Sequence, residues 1–279
     1  MGPLIDVAAL DARVKAGQRT VLLDVRWKLG DPHGRDHYLE AHLPGAVFVE
    51  LASELAAPAA PERGRHPLPP LDQFQASARG WGINEGDVVV AYDDSGNMAA
   101  ARLWWMLRNA GFPEVYLLDG GLAAWRAAGL PVQGGNVEAV PGNVSLREGA
   151  MPAIDAAAAG SWAGTGILLD ARAGERYRGE FEPVDPRAGH IPGAVSAPTT
   201  ENVDESGRFL PADELRRRFE KLGVTTDAPV AVYCGSGVTA AHEVAALEIA
   251  GIRAALYPGS FSEWSNKPGL PVVTGGQPG

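Results

Sequence analysis

The chain has 279 residues, 34 acidic and 24 basic side chains for a formal net charge of −10, 46% hydrophobic composition and one cysteine. That much apolar matter excludes general disorder, and the acidic balance offers no uniformly basic surface to a nucleic acid or an anionic membrane. A lone cysteine forms neither an internal disulfide nor a cysteine-rich zinc site. No stretch approaches the roughly 18 apolar residues of a membrane span, and residues 1–6 do not begin a signal peptide, so a cytoplasmic location is expected.

In chain order, Val21–Val25 is a short apolar run between turn residues and predicts a buried strand. A His42-Leu-Pro-Gly-Ala46 turn follows, then an irregular stretch from Ala56 to Pro70 with prolines at 58, 61, 67, 69 and 70 and the cluster Arg63, Arg65, His66. Loops of that length in compact domains are often functional. Val88–Tyr92 and Val115–Leu118 predict further strands. Between them Ala99 to Ala110, stopped by Gly111, predicts a helix in which Trp104 and Trp105 belong to the core. Gly134 to Met151, rich in Gly, Asn and Pro, reads as a linker.

Beyond it the pattern begins again. Ile167-Leu-Leu-Asp-Ala-Arg172 echoes Val21-Leu-Leu-Asp-Val-Arg26, and His190-Ile-Pro-Gly-Ala194 echoes the earlier turn. Val230–Tyr233 echoes Val88–Tyr92, and Gly269-Leu-Pro-Val272 echoes Gly129-Leu-Pro-Val132, all in one order and at offsets of 140 to 148 residues. Strands alternating with helices imply parallel sheets. The expectation is two small α/β domains, 1–133 and 151–279, joined by 134–150.

Cys234 stands where the strand Pro229–Tyr233 ends and Gly235-Ser-Gly-Val-Thr239 leads into a helix from Ala240 to Ala250. Ligands of open parallel sheets bind at such strand ends. Two glycines allow the backbone to curl so that its N–H groups converge on an anion, with the helix N-terminus adding positive potential. The same field favours a nucleophilic thiolate. The first copy has Asp93 in the place of Cys234, which predicts a non-catalytic N-terminal domain. His42 and His190 recur in both copies and are expected to fix turns. His33 and His37 share i, i+4 spacing, but their Gly-Asp-Pro surroundings argue for a loop, and no metal is expected.

The paired His-x-Pro-Gly-Ala turns, Tyr38 before His42, the Cys234-Gly-Ser-Gly-Val-Thr-Ala240 loop and Tyr257-Pro-Gly-Ser-Phe-Ser-Glu-Trp264 together resemble the tandem rhodanese-type sulfurtransferases over about residues 4 to 275. The resemblance implies two tandem rhodanese-like domains, each a small parallel sheet flanked by helices, the second catalytic. It implies transfer of a sulfane sulfur, without a cofactor, through a Cys234 persulfide to a thiol or cyanide, with a thioredoxin-like reductant as a protein partner. Thiosulfate-preferring members carry Cys-Arg-Lys-Gly-Val-Thr. The uncharged Gly235-Ser236 is similar to the 3-mercaptopyruvate enzymes instead. By the same resemblance, Arg176 and Arg187 would hold the substrate with Arg178 in reserve, and the loop residues Gly235, Gly237, Val238 and Thr239 would cradle it. Ser236 and His66 would move a proton, His66 being donated by the other domain. The acid expected to support that histidine is missing: Ala52 stands near its place, leaving Glu50, Glu54 or no acid at all.

Three alternatives stay open or close here. Thiosulfate is the alternative donor. A non-enzymatic persulfide carrier or binding module is the alternative of another class. A cysteine phosphatase of this fold needs Cys-x5-Arg, and the sixth residue after Cys234 is Ala240.

Overall fold

The computed structural model describes residues 2–225 and 228–279. They form two compact units, one of residues 2–55, 69–150 and 204–209, the other of residues 56–68, 151–203, 210–225 and 228–279. Two exchanges stand out. Ala56–Leu68 lies early in the chain yet belongs to the second unit, and Asp204–Phe209 belongs to the first. The stretch 134–150 is part of the first unit, where Gly142, Val144 and Arg147 donate backbone N–H bonds to the carbonyls of Arg79, Ile83 and Ala110.

The first unit holds β1 (Leu4–Ile5), β2 (Thr20–Asp24), β3 (Val47–Phe48), β4 (Val88–Tyr92) and β5 (Val115–Leu118), in the order β1-β5-β4-β2-β3. The second holds β6 (Ile167–Asp170), β7 (Ala194–Ser196), β8 (Val230–Tyr233) and β9 (Ala254–Leu256), in the order β7-β6-β8-β9. Every pairing is parallel. Ala153 adds a parallel bridge to Leu256, the position that β1 takes beside β5, so the two sheets repeat one strand order.

The central strands are buried on both faces, which is why they read as unbroken apolar runs. Helices cover them. Leu71–Gly80 turns Phe74 and Ala78 inward, and Ala212–Lys221 turns Leu215 and Phe219 inward, each pair four residues apart on one helical face. Ala100–Asn109 is buried nearly all round, with Trp104 and Trp105 in the core. Thr239–Ile249 is buried almost as completely, and its four alanines, all buried, let it approach its neighbours closely.

Each copy uses the same polar lock. Arg26 and Arg172, both buried, pair with Asp24 and Asp170 at 2.6 Å at the ends of β2 and β6. Tyr38 and Tyr177 donate their hydroxyls to the carbonyls of Ala46 and Ala194 at 2.8 Å. Their rings stack on His42 and His190 at 4.1 and 3.7 Å. Each histidine faces a tyrosine carbonyl through Nδ1 at 2.8 Å, so Nδ1 carries the proton and the ring fixes the turn. Burial pushes the Tyr177 hydroxyl up to about 12, keeping it a donor.

Candidate active site

The second unit places its chemistry at the carboxyl end of β8. Cys234 follows directly and is 1% exposed. Its backbone N–H donates to Ser260 Oγ at 3.1 Å, and its carbonyl accepts from Phe261 N–H at 2.9 Å. The Gly235 carbonyl accepts from Ser262 N–H at 2.8 Å. The loop is thus tied to the short helix Ser260–Trp264, whose first residue holds the left-handed φ of +52°. Strain of that kind persists where surrounding contacts over-determine the backbone.

Inside the curl, Gly237 N–H donates to Cys234 Sγ at 3.1 Å. Gly237 has φ +77°, and a Cβ there would stand 2.2 Å from the Pro258 carbonyl oxygen, so only glycine closes this turn. Val238 is buried, and Thr239 opens the helix Thr239–Ile249, whose N-terminus adds positive potential at the loop. A sulfur anion, or a second sulfur attached to it, is the charge such a loop suits.

Ser236 Oγ lies 2.8 Å from His66 Nδ1. His66 reaches it from within the same compact unit, because Ala56–Leu68 is part of that unit despite its place in the first sequence repeat. The segment is pinned there: Arg65 N–H donates to Ser262 Oγ at 3.1 Å, and Gly64 packs so closely that a Cβ would lie 2.7 Å from the Gly259 carbonyl oxygen. Of the acids named as supports for His66, Glu54 has both oxygens engaged in the first unit, by the Trp81 indole N–H at 2.9 Å and the Glu50 amide at 2.7 Å.

The two arginines expected to hold substrate part company. Arg176, on the helix Gly174–Arg178, stands beside the loop: a methyl at position 235 would be 3.4 Å from its Nη1. Its Nε and Nη2 bind Glu182 at 3.1 and 2.6 Å, and Nη2 also reaches Asp185 at 3.0 Å. Arg187 has other partners. Its guanidinium donates to the carbonyls of Trp264, Ser265, Lys267 and Leu270 at 2.7–2.9 Å, which ties down the chain after the last helix. Arg178, the reserve, pairs on the surface with Glu180 at 2.8 Å.

Arg65 was visible in the sequence only as one charge of a loop cluster. Its Nη1 pairs with Asp185, and Nη2 comes within 3.0 Å of where a methyl at position 235 would be. Burial pushes the Asp185 carboxyl up, opposed by Arg65 and Arg176. Burial also acts on Glu182, but the bonds from Arg176 and from the amides of Asp185 and Val184 outweigh it and hold that carboxyl low.

Comparison with known proteins gives the same outline. The family model described as the rhodanese-like domain matches residues 6–128 and 154–267. The putative thiosulfate sulfurtransferase SseB of Mycobacterium tuberculosis is 46% identical over 277 residues, covering 98% of this chain and 97% of the relative. The probable 3-mercaptopyruvate sulfurtransferase of Pseudomonas aeruginosa is 48% identical over 263 residues, covering 91% and 92%. Among solved structures, SseA from Escherichia coli superposes with a TM-score of 0.82 at 32% identity, covering 94% of this chain and 99% of that one.

Proposed function

The chain belongs to the rhodanese family, and from that premise we propose that it is a sulfurtransferase taking its sulfur from 3-mercaptopyruvate through Cys234. The observation that carries this reading is the thiol at the exit of β8, with a loop amide donating to its sulfur and a guanidinium beside the loop. The Cys234 thiolate attacks the donor's sulfur. A new S–S bond forms as the donor's C–S bond breaks, and the electron pair of that bond leaves as the enolate of pyruvate. Loop amides and the helix N-terminus hold the developing negative charge. Arg176 orients the donor's carboxylate. Ser236 delivers a proton to the enolate, and His66, within hydrogen-bond reach of its hydroxyl, replenishes it. An acceptor thiolate or cyanide then takes the outer sulfur of the Cys234 persulfide and returns the thiolate.

Cys234→Ser tests the first step. Release of pyruvate should vanish, and mass spectrometry of wild-type protein after donor treatment should place one added sulfur on the peptide holding Cys234. Pyruvate released at the wild-type rate by the variant would end the reading. Thiosulfate is the second reading, favoured by the name of the mycobacterial relative. Initial rates with the two donors at matched concentration choose between them. Turnover with excess small thiols separates an enzyme from a persulfide carrier. A cytoplasmic setting, where thiol acceptors and a thioredoxin-like reductant are kept reduced, suits this chemistry.

A further inference from the structure

We propose that Arg65 is the second cation of the donor clamp, working with Arg176 in the part that the sequence assigns to Arg187. The identity of the donor rests on the sulfur-transfer reading above; the placement of Arg65 does not. Position 235 is where the two guanidinium groups meet. A methyl there would be 3.0 Å from Arg65 Nη2 and 3.4 Å from Arg176 Nη1, so the missing side chain of glycine is what lets both guanidinium groups pack against the loop directly after the cysteine. In thiosulfate-preferring members the residue at this position is itself an arginine. Here the charge comes from elsewhere in the chain and takes the place that a side chain at 235 would fill.

A carboxylate already spans the pair. Asp185 places Oδ1 against Arg65 Nη1 and Oδ2 at 3.0 Å from Arg176 Nη2, fixing the spacing of the two forks. Arg65 Nε is buried without a partner, and Nη2 lies at the loop. A buried guanidinium N–H without an acceptor is costly, and an incoming anion relieves that cost. The side chain is also held in place, because its backbone is tied to Ser262 and Gly64 packs on Gly259. Arg65, Arg172 and Arg176 are balanced by Asp170, Glu182 and Asp185. With no excess charge, recognition falls to directional N–H bonds, which suits the single carboxylate of a keto acid better than a dianion.

The test compares wild type with Arg65→Gln, Arg65→Lys and, as a control on the same loop, Arg63→Ala. With 3-mercaptopyruvate, Arg65→Gln should raise KM about tenfold while kcat stays within about threefold, the pattern of lost substrate binding. A second readout needs no sulfur transfer: the ratio of Cys234 alkylation rates by iodoacetate, an anion, and iodoacetamide, its neutral counterpart. That ratio should fall several-fold in Arg65→Gln, recover by at least half in Arg65→Lys and stay unchanged in Arg63→Ala. A Gln variant that keeps both KM and the ratio overturns the proposal, as does a Lys variant as low as Gln, which would mark a packing role. If wild type moves no sulfur from any donor, the functional reading falls, and the alkylation ratio still decides whether Arg65 meets anions.

Discussion

The loops that follow β4 and β8 occupy equivalent places in two copies of one fold, and they treat negative charge differently. After β4, Asp93 is fully buried and its carboxylate accepts four backbone N–H bonds, from Ser95, Asn97 and Ala99 at 2.8 Å and from Ala100 at 3.0 Å. Burial pushes this carboxyl up, and those amides pull it back. After β8, Cys234 stands in the corresponding position with Gly237 N–H on its sulfur. The cradle therefore comes with the fold. One copy fills it permanently with its own side chain, while the other places a reactive atom there.

Cys234→Asp applies the strongest test to that comparison. It should abolish sulfur transfer by at least about a thousandfold, as removal of a nucleophile does, while circular dichroism and melting show a folded protein whose second loop accepts a carboxylate as the first one does. Collapse of the fold would break the equivalence. His66→Gln should lower kcat about ten- to a hundredfold, the scale of a general acid–base contribution. A stopped-flow assay of pyruvate release measures it, and an unchanged kcat would remove Ser236 and His66 from the proton route.

Asp93→Asn acts on the other side of the comparison. It turns an amide donor toward backbone donors and should cost about 2–3 kcal/mol of stability by denaturant melting, leaving sulfur transfer as it was. Little loss would mean that the first cradle does not need its anion. Glu182→Gln is expected to do least. Glu182 is held below its ordinary value of 4.5 in the folded protein. A depressed acid stabilises the fold above its unfolded value, and that contribution disappears as pH falls through the folded value. Wild type and variant should therefore differ in Tm by about 2–4 °C near neutral pH and converge well below pH 4.5. A constant difference across that range would mean that the arginine pairing is not what lowers the carboxyl.

Much of the architecture was legible in the residues because parallel strands buried on both faces demand unbroken apolar runs. β2, β4, β5 and β8 agree with the predicted runs to within a residue or so, and the helices Ala100–Asn109 and Thr239–Ile249 lie within a residue of the predicted limits. The strands β1, β3, β7 and β9 have two or three residues each, too few for any periodicity to register. Two of the missed relations concern which segment accompanies which unit. Nothing local says that Ala56–Leu68, written inside the first repeat, packs with the second, or that Asp204–Phe209 crosses the other way. The histidine beside Ser236 was found only through a family resemblance that named its slot.

What the sequence determined by itself is the duplication, the parallel α/β class and the one position able to act as a sulfur nucleophile, because each depends on residue type at a local spacing. Tertiary structure alone decided which arginines stand beside the loop that carries that sulfur. Arg65 and Arg187 carry the same charge, and the family resemblance gave a slot to Arg187 alone, but a guanidinium binds whatever acceptors the folded chain brings within about 3 Å. For Arg187 those are four carbonyls of the closing segment; for Arg65 it is the buried carboxylate of Asp185, which leaves Nη2 against Gly235.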